Sequence, residues 1–265
     1  MLAPIVGSTA SLPFPPLGEG ALHLLVLQHS HDAPPGLIAE EVLAVGGRLD
    51  LREAERGVSL PAGADGHDGL ILLGGVMNAL DDERCPHFPA LLALVREFAA
   101  HNRPVLGVCL GAQLLARAFG GAIRLGGAPE FGFVPLHALP AAGRDPLLAG
   151  LPFPTAIMQW HDDTFDLPPG AVHLLRSAAC PNQAFRIGAS VYGLQCHFEV
   201  TAAILEQWLD LYERLGHDPA PLRRTRGALP RLLPVAQRFG RWITRRWLRL
   251  VADRSGCVRP RLSNL

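Results

Sequence analysis

The sequence predicts an α/β protein: a mostly parallel sheet with helices on both faces, followed by a basic helical C-terminal tail. Short apolar runs alternate with helical patterns of about 10–15 residues, the rhythm of strand–helix–strand units. The runs are apolar throughout rather than at every second residue, as expected of strands buried on both faces. Charge is segregated along the chain. Residues 1–215 carry 12 arginines against 22 acids, and residues 216–265 carry 12 arginines against two, Asp218 and Asp253. An acidic body with a basic tail implies two separate physical jobs.

The elements follow in order. Residues 1–21, with Pro13, Pro15 and Pro16, are read as an irregular extension. Leu22–Gln28 reads as a buried strand, and Gly36–Val45 as a helix stopped by Gly46-Gly47. Arg48–Leu51 and Gly69–Leu73 are further strands, the latter running straight into Gly74-Gly75. A helix at Phe88–Ala100, a strand at Pro104–Val108 and a helix at Leu110–Phe119, ended by Gly120-Gly121, complete the first half. The rhythm then changes. Phe133–Ala138, Thr155–Gln159, Val172–Ser177, Gln183–Ile187 and Ser190–Gln195 are strand-like with few helices between them, so a partly antiparallel extension of the sheet is expected. A helix at Ala202–Leu215 closes the body, assigned to residues 22–216.

Of the 265 residues 49% are apolar, enough for a real core. The longest largely apolar runs, Leu22–Leu27 and Leu70–Leu73, fall far short of the roughly 20 residues that cross a bilayer. No basic cluster precedes an apolar stretch with a small-residue cleavage site, so no secretory signal is expected. The five cysteines (Cys85, Cys109, Cys180, Cys196, Cys257) form no CxxC pair. That pattern suits a reducing compartment, and the expected address is the cytoplasm.

The most informative stretch is Gly107-Val-Cys109-Leu-Gly111-Ala-Gln113. A buried strand ends, one residue follows, and a helix begins. Glycines at −2 and +2 around Cys109 give the spacing of a nucleophile elbow, where the turn leaves no room for side chains. A helix N-terminus also favours a thiolate. The same spacing fits a buried strand-end cysteine whose glycines serve packing alone. A thiolate needs an oriented base. In Gln195-Cys-His197-Phe-Glu199, an extended backbone puts His197 and Glu199 on one side, so that the carboxylate can hold the imidazole. Upstream, Gly74-Gly75-Val76 follows a strand. Its unobstructed backbone N–H groups, with that of Leu110, are candidate donors to an oxyanion.

Together these motifs resemble the class I glutamine amidotransferase family, with a Cys-His-Glu triad on a flavodoxin-like, doubly wound sheet. The likeness covers about residues 22–215. It implies that Cys109 is the nucleophile, His197 the base and acid, Glu199 the orienting carboxylate and Gln113 a substrate-holding glutamine. Gly75, Val76 and Leu110 are the implied oxyanion donors, with Gly74 facing the substrate. Glu130-Phe-Gly132 resembles the family's E-x-G segment. Met158-Gln-Trp160-His161-Asp162-Asp163-Thr-Phe165 resembles the W-H-x-D-x-F segment of the stand-alone, GMP-synthase-like branch, which places Trp160 and His161 on the substrate side. Two positions depart from the family: Val76 stands where proline is usual, and Phe198 where proline often separates His and Glu. His161 and Asp162 also read as a second acid–base pair or as metal ligands, although no third ligand has recognisable spacing.

The resemblance implies glutamine amide hydrolysis through a γ-glutamyl thioester, with no metal or organic cofactor required. The ammonia would go to an unknown acceptor or a separate synthetase, because a chain without lysine has no P-loop. A γ-glutamyl hydrolase and a non-catalytic regulatory domain of the same fold are the alternatives. Residues 217–265 are read as an Arg-rich amphipathic tail. Apolar residues at 232, 235, 236, 239, 242, 243, 247 and 250 form one face and Arg238, Arg241, Arg245 and Arg249 another, with a helix start at Pro230. The tail has three candidate contacts: the acidic body, a partner enzyme or an anionic surface. Nucleic acid is not expected, for want of aromatics.

Overall fold

The computed structural model describes residues 21–57 and 59–255. The proposed extension up to residue 20, Cys257 and the last residues of the tail lie outside them. Eleven strands and five α-helices follow one another as β1 (His23–Gln28), α1 (Gly36–Ala44), β2 (Arg48–Glu53), β3 (Gly69–Leu72), α2 (Phe88–Ala100), β4 (Val105–Val108) and α3 (Leu110–Ala118), then β5 (Ile123–Arg124), β6 (Glu130–Ala138), β7 (Thr155–His161), β8 (Thr164–Phe165), β9 (Val172–Arg176), β10 (Ala184–Ile187), β11 (Val191–Leu194), α4 (Ala202–Arg214) and α5 (Pro219–Arg254).

Nine strands form one sheet in the order β2-β1-β3-β4-β11-β10-β9-β6-β7. From β2 to β11 neighbours are parallel, and from β11 to β7 they are antiparallel. This is the flavodoxin-like arrangement, extended on one side by the antiparallel run. The parallel strands β3 and β4 are buried along their whole length, which is why their sequences show no alternation. One apolar layer holds Phe88, Val95, Phe98, Leu114 and Leu115 of α2 and α3. The opposite layer holds Ile38 and Val42 of α1 with Phe239, Ile243, Trp247 and Val251 of α5. The two-stranded pair β5–β8 has no sequence signal, because two residues are too few to show a period.

The basic segment forms a 36-residue helix capped by Asp218, whose carboxylate accepts from the Ala220 N–H, rather than one starting at Pro230. Pro230 and Pro234 both lie inside it and both are exposed. Each removes one helical N–H, but both lie on the outer face and the helix runs on through them. Of the candidate contacts of the tail, Arg241 and Arg245 make the one with the body. They pair with Glu40 and Glu41 of α1, the Arg241–Glu41 contact being 2.6 Å and Arg241–Glu40 2.7 Å. Among the described residues no helix is long and apolar enough to cross a membrane.

Candidate active site

Parallel strands present their C-terminal ends to one edge of the sheet, and there a cavity of about 630 Å³ opens. Cys109 stands at its floor, between β4 and α3, with φ 50° and ψ −110°. That conformation is costly for a residue with a side chain, and the surroundings impose it. The turn is so tight that a Cβ on Gly111 would lie 2.2 Å from the Leu72 carbonyl oxygen. A Cβ on Gly107 would lie 2.6 Å from that of Gly111. Only glycine fits at either position.

β11 ends at Leu194, so His197 and Glu199 lie just past the strand rather than within it. The backbone is held instead by an isolated bridge to β7, in which the His197 N–H donates to the Met158 carbonyl at 2.8 Å. The two side chains still meet: His197 Nδ1 is 2.7 Å from Glu199 Oε1, and both residues are buried. The other ring nitrogen is left available to Cys109, which lines the same cavity. Burial works against charge on His197, but the Glu199 carboxylate and the Cys109 thiolate outweigh it and raise its pKa to about 10. The arrangement therefore favours a protonated His197 held by Glu199 beside Cys109.

The remaining sequence-predicted residues fall around this line. Gly74 is buried against it, and a Cβ there would meet His197 at 3.0 Å and Cys109 at 3.7 Å. Gly75, Val76 and Leu110 line the cavity beside Cys109, Val76 at the exposed rim. Gln113 lines it too, although its amide already donates to the Asp163 carbonyl (3.1 Å) and to Gln195 Oε1 (3.3 Å). The Trp160 carbonyl lies 3.9 Å from Cys109 Sγ, and its indole meets Phe131, Trp208 and Tyr212 edge to face. With His197 against Trp208 and His217 against Tyr212, these rings form a continuous aromatic wall from floor to rim.

His161 faces Glu130, its partner across the β6–β7 ladder, with Nε2 3.2 Å from Oε2. Asp162, the expected partner of a second acid–base pair, is exposed. Glu130, His161 and Cys180 do bring three donor atoms within 4.8 Å, as do His23, Asp50 and His67. In both groups the carboxylate is already engaged: Glu130 accepts from Ser177 and Gln183 at 2.6 Å each, and Asp50 from Arg52 and His67. Neither is arranged for a cation in preference to its own hydrogen bonds.

Two contributors have no assigned role in the sequence motifs. Gln195, fully buried, donates to Cys109 Sγ at 3.6 Å and links it to Gln113. His29 packs its Cβ behind Gly75 and stacks on His87, kept neutral by burial and by His87 with a pKa of about 3. Gln195 sits inside a recognised motif, so inspection of that motif could have raised it. His29 carries no signal beyond being a histidine at a strand end.

The glutamine amidotransferase class-I family model matches residues 37–207. The putative glutamine amidotransferase-like protein YfeJ of Salmonella typhimurium is 35% identical over 153 residues, covering 57% of this chain and 64% of that protein. The match thus spans just under two thirds of that relative's length. A glutamine-hydrolysing GMP synthase subunit of Thermococcus kodakarensis is 35% identical over 150 residues, covering 56% and 73%. Among solved structures, a glutamine amido transferase from Methylobacillus flagellatus superposes with a TM-score of 0.77 at 31% identity, covering 87% of this chain and 96% of that one. A glutamine amidotransferase from Thermotoga maritima gives 0.74 at 26% identity, covering 88% and 99%. The fold, the matched family model and these relatives agree, and the chain belongs to the class I glutamine amidotransferase family.

Proposed function

We propose that the protein is a glutaminase that hydrolyses the side-chain amide of glutamine and releases ammonia for a separate acceptor enzyme. The observation that carries this reading is the buried Cys109–His197–Glu199 line at the floor of an open cavity. The Cys109 thiolate attacks the amide carbonyl carbon, and the backbone N–H groups of Gly75, Val76 and Leu110 stabilise the resulting oxyanion. As the tetrahedral intermediate collapses, the His197 imidazolium gives its proton to the departing ammonia, leaving a γ-glutamyl thioester on Cys109. Neutral His197 then takes a proton from water, whose oxygen attacks the thioester. Glutamate leaves and the thiolate returns. Glu199 holds the ring and balances its charge throughout, and Gln195 donates to the sulfur. Gln113, Gly74, Trp160 and His161 line the substrate. The reaction needs no metal or organic cofactor.

A separate acceptor is supported by the relatives named as one subunit of GMP synthase, a name that implies a second polypeptide for those proteins. The four described cysteines are free, which supports a reducing, cytoplasmic setting. A second reading, hydrolysis of γ-glutamyl amines, is favoured by one feature. The cavity and its aromatic wall extend well beyond the space a glutamine side chain fills.

The test is glutamate release from glutamine by the full chain, with Cys109→Ala alongside. Turnover by the wild type is expected to fall by about 10⁶-fold in the variant, as when a covalent nucleophile is removed. Equal turnover by the two would overturn the assignment. Turnover of γ-glutamyl amines but not of glutamine would select the second reading.

A further inference from the structure

The acid–base pair rests on backbone that two helices grip from behind. From one side, α1 presents its N-terminus: the Leu37 N–H donates to the Glu199 carbonyl at 2.8 Å. Gly36 approaches so closely, with φ +46°, that a Cβ there would fall 2.2 Å from the same oxygen. From the other side comes α5. At Gly240 the helix backbone presses on the Phe198 carbonyl, and a Cβ would stand 2.0 Å from that oxygen and 3.1 Å from the Leu37 side chain. Phe198 is itself fully buried and shares the core with Phe239 of α5.

The grip is fastened. Arg241 and Arg245, next to Gly240 on α5, pair with Glu41 of α1, whose side chain is 3% exposed. Thr244, also buried, donates its hydroxyl to the Gly240 carbonyl at 2.9 Å. Thus the two peptide carbonyls that flank the Glu199 α-carbon are each fixed by a different helix, and the two helices are pinned to each other. A neighbouring contact repeats the pattern: the Thr225 side chain of α5 occupies the space where Gly132 would carry a Cβ, beside the cavity residues Glu130 and Phe131.

We propose that Gly240 is a positioning residue for the His197–Glu199 pair, and that α5 is a working part of the catalytic apparatus rather than an appendage. The inference rests on the triad reading given above. Glycine is required at 240 because any side chain would have to displace the Phe198 carbonyl. That displacement would carry His197 and Glu199 off the line to Cys109. Phe198 in place of the family's frequent proline fits the same design, since its ring anchors the turn on α5.

The experiment pairs two identical substitutions in one helix of the full chain. Gly227 is an exposed glycine of α5 whose added Cβ would meet nothing within 4 Å. Gly227→Ala is expected to keep wild-type kcat, KM and pH profile. Gly240→Ala is expected to lower kcat roughly 10²-fold, the scale of a misplacement of about 1 Å, with KM changed less than about threefold. The His197 imidazole, followed by NMR, should lose its proton at lower pH than in the wild type, because Glu199 no longer supports the charge. A folded Gly240→Ala protein with unchanged kcat and unchanged His197 titration would overturn the proposal.

If Gly240→Ala does not fold, the double variant Arg241→Gln/Arg245→Gln loosens the same clamp without a clash. It is expected to reduce kcat several-fold and to move the His197 titration in the same direction. No movement there would overturn the proposal equally. The NMR titration does not depend on turnover, so the role of Gly240 is measured separately from the glutaminase reading even where the wild type shows no turnover.

Discussion

The two halves of the candidate triad are placed in opposite ways. The strained backbone of Cys109 is set largely by its own neighbourhood, a strand, a helix and two glycines within five residues, with Leu72 closing the turn and Leu194 accepting from its N–H. His197 and Glu199 are positioned from a distance, by Met158 of β7, Leu37 of α1 and Gly240 of α5. The turn that carries the candidate nucleophile is written in a short motif, whereas the candidate acid–base pair is held by elements as far apart in the chain as Leu37 and Gly240. A fold can hold a strained nucleophile with a short motif, but it needs tertiary agreement to aim an acid–base pair.

The largest expected effect that sharpens this contrast is on the base side. Glu199→Gln keeps the shape but removes the charge behind His197, and kcat for glutamine should fall about 10³–10⁴-fold. Its melting temperature should change far less than its rate. A loss under tenfold would mean that the carboxylate does not orient the ring. On the nucleophile side, Gly111→Ala forces a methyl group against the Leu72 carbonyl and should cost about 1–3 kcal/mol of stability, read from denaturant unfolding. A neutral result would show the elbow to be looser than its contacts indicate.

The smallest effects lie in the pH dependence of stability, and they separate the two sides again. Folded His197 keeps its proton to about pH 10, whereas an unfolded histidine releases it near 6.5. Unfolding between those values releases a proton, so this contribution is full below about 6.5 and is lost as pH rises through 10. Glu199→Gln should flatten that alkaline limb. His29, behind the Gly74-Gly75 loop, has the opposite sign. It stays neutral down to about pH 3 when folded, so its contribution is full above about 6.5 and is lost as pH falls towards 3. His29→Leu should flatten the acid limb and leave the alkaline one, as followed by thermal melts across pH.

The same local-versus-distant distinction decides what could be read from the chain. The parallel strands were legible because burial on both faces removes polar residues from β3 and β4. The elbow was legible because its glycines are forced by close approach. The Glu130–His161 pairing was not: it depends on β6 and β7 being laddered in one register, which no residue type announces. The full length of α5 was not legible because Pro230 reads as a helix start, whereas it lies mid-helix on the solvent face. Which of its candidate contacts the arginines make was not legible, because their acidic partners, Glu40 and Glu41, lie about 200 residues earlier.

Burial of the remaining sulfurs has a practical corollary for chemical labelling. The thiols of Cys85, Cys180 and Cys196 are all pushed up by burial, Cys196 furthest although it adjoins His197. At neutral pH they stay protonated and poorly nucleophilic. With Cys257 replaced by serine, a simple alkylating reagent becomes a stoichiometric counter of Cys109 alone. One adduct per chain, read by intact-mass spectrometry, would then report the fraction of competent molecules in any preparation.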